Sequence, residues 1–149
     1  MERTPPGITG SRPLIEGELT ESIIGCFFRV YRALPRGCRE HLYALALQRE
    51  LTDAGLSVER EKHIMVYYRG QPLARQKLDM VVNGKVIVEI KASVRLPSDA
   101  NTQVFGYLAV TNLEVGLLLH FGEQPKFYRI VYENRLKERP TSPATLDHC

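Results

Sequence analysis

The most constraining feature of the sequence is the stretch VNGKVIVEIKAS, residues 82–93. Asn-Gly is a strong turn signal, and the apolar, β-branched run after it is typical of a strand buried inside a sheet. Side chains alternate faces along a strand, so Glu89 and Lys91 share one face, while Val88 and Ile90 share the other. Charges on a central strand are costly unless they are paired or bound to a metal ion. The stretch therefore indicates either a functional site or the solvated face of an edge strand.

The length of the turn decides whether Asp79 joins Glu89. A two-residue Asn-Gly hairpin pairs Asp79 with Val88 and places the two acids on opposite faces of the sheet. A three-residue loop, with Gly84 left-handed in a bulge, places Asp79 opposite Ile87 and diagonal to Glu89. The sequence leaves both registers open, and a shared carboxylate site requires the loop of odd length.

Along the rest of the chain, apolar residues recur with the spacing of helices in some segments and with the alternation of strands in others. Apolar spacing predicts helices at 16–34, 39–54 and 97–111, and alternation predicts strands within LSVEREKHIMVYYRG, LDMVV, KVIVEI, VGLLLHF and KFYRIVY. The order ααβββαββ predicts an α/β fold, a single domain whose central mixed sheet is flanked by helices.

The chain has 149 residues, of which 44% are hydrophobic, and this is enough to bury the core of one domain. Pro and Gly near the N-terminus predict a flexible segment at 1–15, a folded domain at 16–132 and a flexible tail at 133–149. The three cysteines match neither a metal spacing nor a disulfide framework. No apolar leader or membrane span is visible, so we expect a cytoplasmic protein without membrane contact.

Positive charge is concentrated in the middle of the chain. The formal net charge is +3, but residues 29–95 hold 13 Lys and Arg against 7 Asp and Glu. This imbalance is a mild sign of an anionic partner, and a merely solvated surface explains it equally well. The cations that flank the candidate site are Arg39, Arg60, Lys62, Arg69, Arg75 and Lys77.

Several short motifs, taken together, resemble a known family. GCREHLY, which contains Gly37, Glu40 and Tyr43, is followed by LDMVV and VIVEIKAS, and the three resemble the GxxExxY family of the PD-(D/E)XK nuclease superfamily. QVFGY, with Gln103 and Tyr107, is similar to the QxxxY motif of the RecB-like branch. The resemblance covers about residues 16–132 and implies a restriction-endonuclease-like core.

The resemblance also implies a set of site residues. Carried over by motif, Glu40, Asp79, Glu89 and Lys91 are the expected catalytic residues. The implied ion is Mg²⁺ or Mn²⁺, held by Asp79, Glu89 and the backbone carbonyl of Ile90, with Glu40 acting through a water molecule; carboxylates are hard oxygen ligands that suit these ions. No iron–sulfur cluster is expected, because cluster-bearing relatives carry four cysteine ligands.

The implied activity is metal-dependent hydrolysis of phosphodiester bonds, with DNA as the expected partner and a homodimer expected by analogy with Holliday-junction resolvases. Gln103, Tyr107 and Tyr43 are candidate substrate contacts, although Tyr107 fits the core equally well. Glu40 in a first helical turn is also explained by the helix dipole alone. The alternative function is a catalytically inactive module on a nuclease fold that binds nucleic acid or a protein partner.

Overall fold

The helices and strands occur in the order that the sequence predicts. The computed structural model describes residues 14–137. Its helices and strands are α1 (Gly17–Ala33), α2 (Glu40–Asp53), β1 (Val58–Tyr68), β2 (Gln71–Val82), β3 (Val86–Lys91), α3 (Ala100–Ala109), β4 (Val115–Phe121) and β5 (Pro125–Val131). A short 3-10 turn, Asn134–Leu136, follows β5 and was not predicted. Most of the two predicted flexible segments, 1–13 and 138–149, lies outside the described residues.

The strands form one sheet in the order β1-β2-β3-β4-β5. β3 and β4 run parallel, and the other neighbours are antiparallel. A parallel pair needs a crossover connection, which α3 supplies here. The predicted fold class, a single α/β domain with a central mixed sheet, is therefore confirmed. No helix within residues 14–137 is both long enough and apolar enough to span a membrane.

Each face of the sheet has its own core. Val88 and Ile90 of β3 pack on one face with buried side chains of α1 and α2, such as Phe27. Ile87 packs on the other face with Leu108 of α3. The alternation predicted for β3 is confirmed, and the sheet is covered by helices on both faces.

The turn between β2 and β3 has an odd number of residues. Val82 pairs with Val86, which leaves the three residues Asn83, Gly84 and Lys85 in the loop. Asn83 and Gly84 both adopt left-handed backbone conformations, with φ of 52° and 62°, which Asn and Gly tolerate best. The odd-length register is confirmed, although the loop begins one residue later than the predicted bulge.

This one-residue difference changes the partner of Asp79. Val81, not Asp79, lies opposite Ile87. Asp79 and Glu89 are the next residues past the last pair, Met80 and Val88, and they are close enough for the charge of Asp79 to act on Glu89. The two acids therefore meet at the end of the β2–β3 ladder.

Candidate active site

β2 and β3 separate beside Asp79. Their backbone pairing ends at Met80 and Val88, whereas β3 continues beside β4 as far as Lys91. The backbone N–H of Ile90 donates a hydrogen bond to Oδ2 of Asp79, with a donor–acceptor distance of 2.9 Å. This side-chain contact links the strands past the end of the ladder and fixes the Asp79 carboxylate in the gap.

Glu89 lies in the same gap and is only 4% exposed. Its Oε1 atom is 3.6 Å from Nζ of Lys91, and its Oε2 atom is buried without a hydrogen-bond partner. Burial, followed by the charge of Asp79, raises the pKa of Glu89 to about 8, although Lys91 acts in the opposite direction. At neutral pH the Glu89 carboxyl therefore keeps its proton unless a cation compensates its charge.

Glu40 approaches this pair from the first turn of α2. Partial burial and then the charge of Asp79 raise the pKa of Glu40, while Lys91 and a hydrogen bond from the backbone of Ala92 lower it. Glu40, Asp79 and Ile90 line one open cavity of about 350 Å³. The structure thus brings Glu40, Asp79, Glu89 and Lys91 together, as the motifs imply.

α3 contributes a hydrogen-bonded pair from the other face of the sheet. Nε2 of Gln103 donates to the hydroxyl of Tyr107 at 2.9 Å. Tyr107 is buried among core residues, and its pKa is raised by burial and then by the charge of Glu89. Tyr107 is therefore both a core residue and a neighbour of the carboxylates, so the two interpretations that the sequence left open are compatible.

Tyr43 occupies a different environment. Its hydroxyl donates to the backbone carbonyl of Pro35 at 3.0 Å, and its ring stacks on Phe121 with centroids 4.3 Å apart. The side chain is buried, so we exclude it from the substrate contacts that we propose. These contacts anchor the start of α2 and thereby help to position Glu40.

Comparison with known proteins places the chain in a family. The sequence model of the PD-(D/E)XK nuclease superfamily matches residues 17–130. The chain belongs to the PD-(D/E)XK nuclease superfamily. Proteins of this superfamily are usually nucleases and generally use divalent metal ions. No significant match was found among curated proteins or among solved structures.

The donor atoms of the gap fit the divalent ion that PD-(D/E)XK nucleases use. Within residues 14–137, no three His, Cys, Asp or Glu side chains form a ready-made metal centre. Asp79 and Glu89 do supply two neighbouring carboxylates, and Oε2 of Glu89 is buried without a partner. Mg²⁺ is usually bound in proteins by one or two carboxylates, with water and substrate phosphate completing its coordination. A cation bound here would provide a partner for Oε2 of Glu89 and reduce the repulsion between the two carboxylates.

His120 lies beside the candidate site, next to Lys91, and the sequence did not indicate this position. It pairs with Lys91 across β3 and β4, and its Nε2 lies 2.6 Å from the backbone oxygen of Ser93. Because a carbonyl oxygen only accepts, Nε2 carries the proton; Nδ1 is buried without a partner. The histidines have no ligand spacing in the sequence, so the signal that identifies His120 is the register of two parallel strands.

Proposed function

We propose that this protein is a divalent-metal-dependent nuclease that hydrolyses phosphodiester bonds in DNA. The observation that carries the proposal is the meeting of Asp79 and Glu89 where β2 and β3 part, with one Glu89 oxygen buried and unpartnered. A buried pair of acids costs stability in the folded protein. Such a cost is typical of a site that is completed by a ligand.

We also propose the finer assignments that the motifs imply. Within the superfamily, Gly37, Glu40 and Tyr43 favour the GxxExxY family, and Gln103 with Tyr107 favours a RecB-like QxxxY motif. The proposed domain is 16–132. The free thiols of Cys26 and Cys38 support a reducing, cytoplasmic environment. We propose a homodimer by analogy with other small nucleases.

Asp79, Glu89 and the backbone carbonyl of Ile90 would hold Mg²⁺ or Mn²⁺, with Glu40 acting through water. When bound, such an ion stabilises negative charge on the scissile phosphate and acidifies water. Glu89 must release its proton on ion binding, because its pKa lies near 8 in the ion-free protein. Ion affinity is therefore coupled to pH through Glu89.

We assign Lys91 a role in the chemical step. Its ammonium lies 3.6 Å from Glu89 and within electrostatic reach of Glu40. In this position it orients the attacking water or offsets the charge that develops on the phosphate in the transition state. Gln103 and Tyr107 lie on the α3 side of the carboxylates, where a donor amide and a hydroxyl can position phosphate oxygens.

The test is incubation of the purified protein with single- and double-stranded DNA and RNA, in Mg²⁺, in Mn²⁺ and in EDTA. We expect DNA cleavage that requires either ion and that is absent from an Asp79→Ala variant purified in parallel, which controls for a contaminating nuclease. Cleavage of RNA but not of DNA would show that RNA, and not DNA, is the substrate. Absence of cleavage under all conditions would favour the alternative, an inactive nuclease-fold module that binds nucleic acid or a protein partner.

A further inference from the structure

β1 and β2 continue as a two-stranded ribbon beyond the rest of the sheet. β1 pairs with β2 from Val58 as far as Tyr68 and Gln71, with a shift of register between Val66 and Tyr67, whereas β2 pairs with β3 only between Met80 and Val82. Among the described strands, residues 71–77 of β2 therefore have β1 as their only neighbour, and all seven are exposed. At about 3.4 Å per residue, this part of the ribbon is roughly 24 Å long.

Positive charge leads from the candidate site onto this ribbon. Arg75 and Lys77 are alternate residues of β2 and so lie on one face of the ribbon. Lys77 lines the same cavity as Asp79 and Glu40, where its ammonium lies 3.9 Å from Glu61 of β1, and Arg75 lies one step farther out. Residues 62–78 contain no Asp or Glu. A nucleic-acid strand cleaved at Asp79 would therefore meet cations as it leaves along the ribbon.

The tip of the ribbon exposes flat, polarisable side chains. Tyr67 is 38% exposed and Tyr68 is 58% exposed, and the guanidinium of Arg69 lies 5.3 Å from the centre of the Tyr68 ring. Aromatic rings and guanidinium planes stack on nucleobases that have left the helical stack. The tip thus suits unpaired nucleotides better than an intact duplex.

The open edge of the ribbon is poorly suited to a protein partner that adds a strand. Pro72 has no backbone N–H to donate, and Arg75 and Lys77 place charge along the same edge strand. Proline and charged side chains are the features by which edge strands resist pairing with another chain. These residues favour a nucleic-acid occupant.

We propose that the β1–β2 ribbon binds an unpaired segment of the nucleic-acid substrate beside the scissile bond. Arg75 and Lys77 contact its phosphates, and the ring of Tyr67 stacks on one of its bases. Tyr67 lies on the face of Arg75, because Met65, two residues before it, pairs with Arg75. The proposal rests on the nuclease function for the nature of the substrate, and it adds that the substrate carries a single-stranded segment next to the cleavage site.

The test is fluorescence anisotropy in EDTA with a labelled single-stranded oligonucleotide and a blunt duplex of the same sequence and length. The ribbon variants are Tyr67→Ala and Arg75→Ala. Phe127→Ala and Lys126→Ala are their matched controls, because both residues are exposed on β5 at the opposite edge of the sheet. All four proteins are checked for parental thermal unfolding.

We expect Tyr67→Ala to weaken single-strand binding at least about fivefold, since stacking on one base is worth that much, and to change duplex binding less. Arg75→Ala should weaken single-strand binding and reduce the slope of log Kd against log salt by about one. The β5 variants should bind as the parent does. Parental single-strand binding by both ribbon variants, equal losses on single strand and duplex, or no binding by the parent would each overturn the proposal.

Cleavage of the same oligonucleotides by the parent in Mn²⁺ is measured in a separate assay. The nuclease function and the binding role of the ribbon are thereby tested independently. Loss of single-strand binding in the ribbon variants of a protein that cleaves nothing supports the ribbon and contradicts the nuclease function. Parental binding by ribbon variants of a protein that does cleave contradicts the ribbon alone.

Discussion

The carboxylate of Asp79 accepts a hydrogen bond from the backbone N–H of Ile90, with Oδ2 2.9 Å from the nitrogen, where β2 and β3 part. Because this contact is to the backbone, it holds Asp79 beside Glu89 whether or not a cation is present. Ionisation of Glu89 is therefore unfavourable, and its pKa is raised to about 8 by burial and by the charge of Asp79. Without a cation, Glu89 therefore stays protonated beside Asp79 at neutral pH, and a bound cation would stabilise its ionised form.

The first prediction concerns stability in EDTA. The pKa of Glu89 rises from its ordinary value of 4.5 to about 8 on folding, so between these pH values the folded protein keeps a proton that the unfolded chain has lost. The free energy of unfolding should therefore fall as pH rises through this range. Glu89→Gln cannot ionise and should be more stable than the parent near pH 9, by at least about 1 kcal/mol.

Urea denaturation near pH 5 and near pH 9 measures this difference. Glu21→Gln is the matched control, because Glu21 is exposed on α1. The advantage of Glu89→Gln should shrink at the lower pH, where Glu89 of the folded parent is protonated and therefore uncharged, like the glutamine that replaces it. Parallel stability curves for the parent and Glu89→Gln would show that Glu89 ionises normally in the folded protein.

The second prediction separates ion binding from catalysis. Lys91→Ala should lose roughly 100-fold in single-turnover cleavage, as expected for removal of one preorganised electrostatic contact. Its affinity for Mn²⁺ should be kept or increased, because an ammonium repels a bound cation. Asp79→Ala should lose ion affinity and cleavage together. Calorimetric Mn²⁺ titration beside cleavage assays measures both quantities.

Lys85→Ala is the control for this pair, since Lys85 is an exposed lysine in the loop of the same hairpin. It should bind Mn²⁺ and cleave DNA as the parent does. If Lys91→Ala also cleaves as fast as the parent, Lys91 belongs to the solvated part of an ordinary strand.

The third prediction concerns the packing that places α3 over the sheet. A Cβ atom added at Gly116 would lie 2.5 Å from Cγ1 of Val104, and Val104 is fully buried and β-branched. Gly116→Ala should therefore push α3 away and destabilise the protein by about 1–3 kcal/mol. Because α3 also carries Tyr107, the rate of cleavage should fall with the stability.

Gly106→Ala is the control, because nothing lies within 4 Å of a Cβ added there. Alanine is the better helix former inside α3, so this change should stabilise the protein by about 0.5–1 kcal/mol. Urea denaturation of both variants measures the contrast. A neutral effect of Gly116→Ala would show that the space above β4 is not filled by Val104.

The order of elements and the division of β3 into two faces, with Glu89 and Lys91 on one of them, could be predicted because they depend on local patterns. Apolar alternation in β3 is strong, and burial of Val88 and Ile90 on one face follows from it. The start of β2 could not be predicted, because the exposed residues 71–77 of the ribbon have no buried face and so no alternation to read.

Registers between strands were harder to predict because they depend on contacts outside the local sequence. Asn-Gly suits two-residue and three-residue loops alike, and packing of Val81 and Ile87 under α3 accompanies the observed register. His120 was missed for the same reason, since its place beside Lys91 follows from pairing between β3 and β4 across the whole α3 crossover.

The measurement that tests the central claim most directly is the single-turnover rate of DNA cleavage as a function of Mn²⁺ concentration, for the parent and for Asp79→Ala. If Asp79 and Glu89 hold the ion, the parental rate should rise with Mn²⁺ and saturate. The variant should show no cleavage at concentrations that saturate the parent, because one of the two carboxylates of the site is missing. Cleavage by Asp79→Ala at the parental rate and with the parental dependence on Mn²⁺ would contradict the account.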